Sequence, residues 1–407
     1  MVLLDVLAGL AGRMGFALRA LHVNHQISPN AAQWARFCLR VCRDRSIACR
    51  VVKVTVERTN STERAAREVR YAALLRTRAD WIVLAHNKDD QAETVLLQLL
   101  RGAGVKGLAG MPIVRTLADA VKILRPLLDV PRHDVERYAR RRKLEWIEDE
   151  SNTDPRYTRN WLRHDVLPHI AARVPAYRET LARAAQNLGE AATLLDQLAQ
   201  LDAGAAVQDG GVRVDVLRTL GIPRAKNLLR VLIGAQGWPM PQAQRLSEGL
   251  KQALSARAGA RVNVELGACE LHRHGGLVYL VPLRAPGEGD SEVTWQGEPE
   301  MTLHQFGGVL EMTRRRGAGL SVARLQDGAV TVRARQGGER LQPDANRPRR
   351  TVKNLLQEAG MPAWQRERLP FIYCGETLAC VPGVAIEYRF RAQPGEASIV
   401  PLWRELS

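Results

Sequence analysis

Ala85-His86-Asn87-Lys88-Asp89-Asp90-Gln91-Ala92-Glu93-Thr94 joins two apolar runs, Trp81-Ile82-Val83-Leu84 before it and Val95-Leu96-Leu97-Gln98-Leu99-Leu100 after it. A short apolar run, a polar turn and a longer apolar run form the pattern of a buried strand feeding a helix. The turn holds a histidine, a lysine and the carboxylates of Asp89, Asp90 and Glu93. In an α/β protein, ligands bind outside the carboxyl ends of the strands, where such a turn lies. Two readings are open from these residues. Asp90 with Glu93 three positions later is an acidic variant of the capping box, in which the carboxylates only support the helix start and its dipole. A cap needs one or two such groups, however, and needs neither His86 nor a second adjacent Asp. Neighbouring acids repel unless a cation, a proton or a basic substrate lies between them, and that is the electrostatic mark of a site.

The 407-residue chain has room for two or three domains. With 45% apolar and 25% charged residues it has the balance of a soluble globular protein. Lys and Arg number 59 against 43 Asp and Glu, a net charge of +16, so a polyanionic partner is the first expectation. A basic protein with no such partner is the alternative. The six cysteines form no C-x-x-C pair, which argues against a zinc ribbon or a redox dithiol and suits a reducing cytoplasm. Cys38 and Cys42, one helical turn apart, read as core thiols. Met1 leads straight into Val2-Leu3-Leu4 with Asp5 interrupting the run, unlike a signal peptide. No apolar stretch approaches the roughly 20 residues that span a bilayer. The expected location is therefore cytoplasmic, with no membrane partner.

Val2 to Arg13 reads as an amphipathic helix with Leu3, Leu4, Leu7, Leu10 and Ala11 on one face. It starts at Met1 without a cap, leaving its first backbone N–H groups without side-chain partners. A strand over 18–23, a helix over 31–45, a strand over 48–54 and a helix opened by Asn60-Ser61-Thr62-Glu63 and running to about Arg78 follow. Strand 81–85 and helix 91–101 come next, ended by Gly102 and Gly104. Strands alternating with helices predict a parallel sheet covered on both faces. A strand over 121–124 precedes a helix from about Pro131 to Lys143, whose Arg137, Arg140, Arg141, Arg142 and Lys143 form either a solvated basic face or a phosphate contact. The acidic loop 148–154 then meets the basic stretch 156–163, as charge compensation or as a clamp for a phosphate and an amine. A long helix from about Pro175 to Leu201 opens a helical region punctuated by Gly221-Ile222-Pro223 and Gly237-Trp238-Pro239. Alternation predicts strands over 261–266 and 276–282. After a Pro/Gly-rich connection at 285–290 come short strands, a basic stretch with Arg347, Arg349, Arg350 and Lys353, a short helix near 354–358 and paired strands over 371–386.

The 85–94 stretch resembles the second motif of the PP-loop ATP pyrophosphatases. Further stretches are similar to one branch of them, the tRNA(Ile)-lysidine synthetases. These are His22-Val23-Asn24-His25 at a strand end, Glu63-Arg64-Ala65-Ala66-Arg67 with Arg70-Tyr71, and Trp146-Ile147-Glu148-Asp149-Glu150-Ser151-Asn152 followed by Arg159-Asn160 and Arg163. Gly337-Gly338-Glu339-Arg340-Leu341-Gln342-Pro343 through Gly375-Glu376 completes the set. The resemblance covers nearly the whole chain in order. One departure is the family's Ser-Gly-Gly-x-Asp-Ser phosphate loop, which does not occur in the sequence. Met1 falls just after its expected place, so the reading expects a start truncated relative to the family. The loop would have capped the first helix and cradled phosphate, and without the family's first strand two internal sheet edges lack a partner.

The resemblance implies an α/β fold. A parallel-sheet PP-loop (adenine nucleotide alpha hydrolase-like) domain over 1–170 is followed by a mainly helical substrate- and tRNA-binding domain over 171–285 and a small α+β C-terminal tRNA-binding domain over 286–407. The activity implied is ligation of free L-lysine to C2 of the wobble cytidine of a CAU-anticodon tRNA(Ile). ATP adenylylates the C2 oxygen with release of pyrophosphate; the lysine side-chain amine then attacks C2 and expels AMP. Carboxylates suit the lysine ammonium, and His86 or a neighbouring acid is expected to take its proton. The catalytic set is His86, Asp89, Asp90, Glu93, Arg67 and Arg159. His22 and Asn24 are expected near the nucleotide, Asp90 on Mg²⁺, and Arg347, Arg349, Arg350 and Lys353 on tRNA. The partners implied are tRNA(Ile), L-lysine and ATP; the oligomeric state is open, a homodimer included. Two other readings stand beside this one. A PP-loop tRNA thiolase is disfavoured by the absence of C-x-x-C. A non-catalytic tRNA-binding protein would follow if the missing loop abolishes catalysis.

Overall fold

The computed structural model describes the chain except residues 57–61, 117–120, 155, 258–259, 284–291 and 406–407. The expected helix start at Asn60-Ser61 and the connection at 285–290 lie outside the described residues. The chain divides into two compact units, Met1–Gln200 and Leu201–Ser407.

The first unit runs α1 (Val2–Met14), β1 (Arg19–Asn24), α2 (Ala31–Arg43), β2 (Ala48–Lys53), α3 (Thr62–Leu75), β3 (Trp81–Val83) and α4 (Lys88–Leu100). It continues with α5 (Val105–Leu108), β4 (Val114–Thr116), β5 (Lys122–Leu124), α6 (Arg132–Arg141), α7 (Thr158–Trp161), a π-helical turn (Leu162–Val166) and α8 (Leu167–Arg173), and α9 (Tyr177–Ala206) carries the chain into the second unit. β1 and β2 pair in parallel, as do β3 and β5. β4, which the sequence pattern did not single out, adds to β5 antiparallel. The expected single sheet is thus two, ordered β1-β2 and β3-β5-β4. β1 has no ladder partner but β2, and β3 none but β5, among the described residues. Leu74, Ile82 and Ile123 nevertheless form one buried cluster with Leu21 and Leu84 packed on it, so side chains from both sheets share a core.

α1 has no side-chain cap at Met1, as its sequence predicts, and ends on Gly15 in the left-handed region (φ 69°). Val2 packs against Ala139 and Leu144 of the α6 region, and Asp5 accepts hydrogen bonds from Tyr138 Oη at 3.0 Å and Arg142 Nε at 3.4 Å. The basic run of α6 is largely ion-paired within the unit: Arg132 and Arg140 with Glu136, Arg137 with Asp134, Arg142 with Asp5.

In the second unit the middle region carries more β structure than its helical pattern predicts. α10 (Val214–Ala235) and α11 (Ala243–Ser255) cover a five-stranded sheet, β6-β7-β10-β9-β8, built from β6 (Val207–Gln208), β7 (Gly211–Arg213), β8 (Val262–Glu265), β9 (Cys269–His274) and β10 (Leu277–Pro282). Leu217, Leu228, Leu229, Ile233, Leu246, Leu250 and Leu271 fill the layer between. Gly221 leaves helical geometry two residues before Pro223, kinking α10 where the sequence punctuates it.

Beyond residue 292, two sheets ordered β11-β15-β18-β19-β20 and β12-β13-β21-β14 pack around Phe306, Leu310, Val332, Ile372 and Ile399. Their strands are β11 (Val293–Thr294), β12 (Glu300–Leu303), β13 (Gly308–Arg316), β14 (Leu320–Ser321), β15 (Val330–Arg333), β18 (Phe371–Cys374), β19 (Thr377–Val381), β20 (Ala385–Ile386) and β21 (Ala397–Glu405). A small ribbon of β16 (Arg340–Leu341) and β17 (Arg350–Thr351) and the helices α12 (Val322–Leu325), α13 (Val352–Glu358) and α14 (Ala363–Arg368) complete the unit. All six cysteines are free thiols. No helix of the described residues is long and apolar enough to cross a membrane.

A candidate active site at the 85–94 turn

The turn leaves β3 where the sequence places it, but its helix begins earlier. Asn87 is the N-cap: its Oδ1 accepts from Asp90 N at 3.0 Å, and Asp90 Oδ2 accepts from Asn87 N at 3.0 Å. The capping box is therefore Asn87–Asp90 and not the expected Asp90–Glu93, and α4 starts at Lys88. The extended backbone of Asn87 provides the cap geometry. Glu93 is released from capping and sits one turn inside the helix, only 1% exposed.

Each of the three acids meets guanidinium groups. Glu93 accepts from Arg163 Nε at 2.6 Å, Arg159 Nε at 2.8 Å and Arg163 Nη2 at 2.9 Å. Asp90 Oδ1 accepts from Arg159 Nη2 and Arg163 Nη2, both at 3.3 Å. Asp89 accepts from Arg178 Nε at 2.5 Å and from the backbone N of Arg132, at the start of α6, at 2.8 Å. The acids thus fasten α4 to α6, α7 and α9. Burial works against the charge of Arg163, but its hydrogen bonds to Glu93 and the charges of Glu93, Asp90 and Asp89 outweigh this and raise its pKa. The π-helical turn lies between Arg159 and the rest of the helix, and π-turns often mark functional sites. On the opposite face, Gln91 closes a two-way clamp on Met111, accepting from its N at 2.8 Å and donating to its O at 3.0 Å. Gly110 makes this possible: it has φ 66°, and a Cβ there would meet the Gln91 amide at 2.8–2.9 Å.

The strand side of the turn is cationic. Arg125, 1% exposed, donates from Nε to His86 Nδ1 at 3.3 Å. Burial first, then Arg125, Arg159, Arg70 and Arg67, push the His86 pKa down to about 4. At neutral pH the ring is uncharged with its Nδ1 lone pair engaged, so His86 fits the expected role of proton acceptor poorly. Burial likewise lowers the pKa of His22, and that of His25 is lowered by burial, Arg70 and His22. His25 Nδ1 and Tyr71 Oη are buried without a well-formed hydrogen bond. Arg67 lies exposed on α3 with its guanidinium carbon 5.2 Å from the Tyr71 ring centroid.

The nucleotide-side expectations divide. His22 contacts Cys38 Sγ through Nδ1 at 3.6 Å. Asn24 is spent on its own turn, accepting from Gln26 N at 2.8 Å and donating to Ala31 O at 3.4 Å. The Asp90 expectation for a metal also meets an obstacle. Two guanidiniums share its Oδ1 and the neutral Asn87 N–H holds Oδ2, so a cation reaches this carboxylate only by displacing one of them. Among the described residues no group of three or more His, Cys, Asp or Glu side chains is arranged to hold a metal ion. Arg125 and Arg178 were not singled out as site residues from the sequence. The surplus of acids in the turn was the signal that matching cations must come from elsewhere.

In the second unit, Arg350 forms a bidentate pair with Glu358, including Nη1 to Oε2 at 2.8 Å. Arg349 lies 3.6 Å from Glu387. Arg347 and Lys353 are exposed.

Comparison with known proteins places these features. A PP-loop domain model matches residues 1–170, a TilS substrate binding domain model 212–279 and a TilS substrate C-terminal domain model 330–403. The tRNA(Ile)-lysidine synthase of Nitrosomonas europaea is 40% identical over 99% of this chain and 89% of its own length. The enzyme of that name from Chromobacterium violaceum is 42% identical over 97% and 90%, and that of Aromatoleum aromaticum 40% identical over 99% and 94%. Sharing this identity across nearly its whole length, and with all three domain models matched in order, the chain belongs to the tRNA(Ile)-lysidine synthase family.

Proposed function

We propose that this chain forms lysidine on tRNA(Ile), joining the side-chain amine of free L-lysine to C2 of the wobble cytidine after ATP has adenylylated the C2 oxygen. The observation that carries the reading is the division of charge at the 85–94 turn: cations around His86 on one side, carboxylates on the other. The reaction brings together polyphosphate, an adenylylated base and an ammonium group, and needs both signs of charge within reach. ATP use accords with the PP-loop family to which the chain belongs.

In this reading Arg67 and Arg159 meet phosphate or the activated intermediate, and the unmatched Nδ1 of His25 faces the nucleotide side. Asp90 receives the lysine ammonium in place of a guanidinium, because its carboxylate's two guanidinium contacts, at 3.3 Å, are longer than those of Glu93 and Asp89 and the first to yield. Glu93 and Asp89, bound at 2.5–2.9 Å, hold the frame. The base that accepts the lysine proton is then one of the carboxylates and not His86. Mg²⁺ carried on the ATP phosphates would neutralise charge at the leaving pyrophosphate. Arg347, Arg349, Arg350 and Lys353 contribute to tRNA binding from the C-terminal region, and the net charge of +16 suits that partner.

The direct test is incorporation of labelled lysine into a CAU-anticodon tRNA(Ile) transcript with ATP, beside ATP–pyrophosphate exchange in the absence of lysine. Both should be positive, and Asp90→Asn should raise the lysine KM while sparing the exchange. Binding of tRNA with neither reaction would leave a tRNA-binding protein instead.

A further inference from the structure

His86 has one ring proton and two nitrogens that can carry it, and the side chain beneath it decides between them. Arg125 follows β5 directly, and its backbone N donates to Ile113 O at 2.8 Å. Its guanidinium is held to the same segment by Nη1 donating to Pro112 O at 2.7 Å. Burial, at 1% exposure, and the Nη1 bond to Pro112 O keep the guanidinium from swinging away. A guanidinium has donors only. Its Nε–H, 3.3 Å from His86 Nδ1, therefore needs the lone pair of that nitrogen, and the proton must sit on Nε2. A doubly protonated ring would oppose one N–H to another.

We propose that Arg125 is a positioning residue that locks His86 as the neutral ring protonated on Nε2, so that His86 acts as a hydrogen-bond donor to an oxygen bearing negative charge. This rests on the reading of the turn as the reaction site. The charged groups facing the ring reinforce the lock: Arg67 and Arg70 from α3 and Arg159 from α7 are all positive. The nearby acids of α4 are already bound to guanidinium groups. The depressed pKa of His86 agrees with this arrangement. A fixed N–H donor aimed at an oxygen where charge gathers needs no reorganisation during reaction, which is where such donors stabilise most.

The test is ¹⁵N NMR of the full chain labelled at histidine, with the His86 signals identified by their loss in His86→Gln. A pyridine-like Nδ1 and a pyrrole-like Nε2, unchanged from about pH 8 to about pH 5, are expected. A proton on Nδ1, or titration near the ordinary value of 6.5, overturns the proposal. Arg125→Met should return the ring to a tautomer mixture, its pKa still held down by burial and by Arg159, Arg70 and Arg67, with Arg125→Lys between the two. Should the Arg125 variants not fold, His86→Gln and His86→Ala decide the role in lysine incorporation with Arg125 intact. Gln keeps an N–H near the Nε2 position but cannot accept a proton, so it should retain roughly tenfold or more of the Ala variant's kcat. Equal loss in both overturns the donor role. The NMR result stands even if the chain transfers no lysine, which separates failure of this inference from failure of the proposed reaction.

Discussion

The two sides of the 85–94 turn treat buried charge in opposite ways. On the helix side every carboxylate is matched: Glu93 and Asp90 by Arg159 and Arg163, Asp89 by Arg178 and the start of α6. On the strand side cations gather around His86 and His25, the buried Nδ1 of His25 has no partner, and Tyr71 Oη has only the Arg125 guanidinium within reach. Buried polar atoms are rarely left unmatched without a reason. The matched side is chiefly the frame that fixes four helices, from which Asp90 and Arg159 turn to a ligand; the strand side holds further unspent capacity.

The helix-side network is most sensitive at Glu93. Glu93→Ala strands two partly buried guanidiniums and should cost about 3–5 kcal/mol in urea unfolding. A loss under about 1 kcal/mol would mean that the network is not the frame. The strand side should reveal itself by acid. The folded pKa of His86, about 4, lies below its ordinary 6.5. As pH falls through that interval the unfolded chain binds a proton that the folded chain refuses, so stability present above 6.5 is lost toward 4. The full effect is about 3 kcal/mol, read as the part of the acid destabilisation that His86→Gln removes. Gly110→Ala, which forces a Cβ onto the Gln91 amide from a positive φ, should lower stability by about 1–3 kcal/mol without moving the pH dependence. The smallest effects belong to the C-terminal cations. Lys353→Ala should reduce the salt slope of tRNA binding by about one unit. Arg350→Ala, whose guanidinium is already paired with Glu358, should reduce it by less.

Much of this arrangement was legible in the sequence. The strand–turn–helix, the uncapped first helix, the parallel pairings and the short helix before 358 follow from periodicity and capping chemistry. The surplus of acids in the turn was also visible, but their partners were not. Arg159 lies 66 residues from Glu93 and Arg178 lies 89 from Asp89, and no local rule connects side chains across such distances. The capping box was misplaced because Asp90–Glu93 and Asn87–Asp90 both satisfy the same three-residue spacing. Only the extended backbone at Asn87 distinguishes them. β9 escaped notice because Cys269-Glu270-Leu271-His272-Arg273-His274 buries a histidine beside its leucine and so does not alternate cleanly.

The division of the first unit's sheet has a mechanical consequence. No strand ladder links β1-β2 to β3-β5-β4 among the described residues, and the shared cluster of Leu21, Leu74, Ile82 and Ile123 joins them through apolar contact. Such contact has no direction. The domain therefore has a seam at which the two sheets meet by side-chain packing and by no strand–strand hydrogen bond among the described residues. His22 and His25 lie on one bank of that seam and His86 on the other. Amide exchange should show it as the β1 and β3 amides outside the β1–β2 and β3–β5 ladders exchanging faster than those within them, in an alternating pattern along each strand.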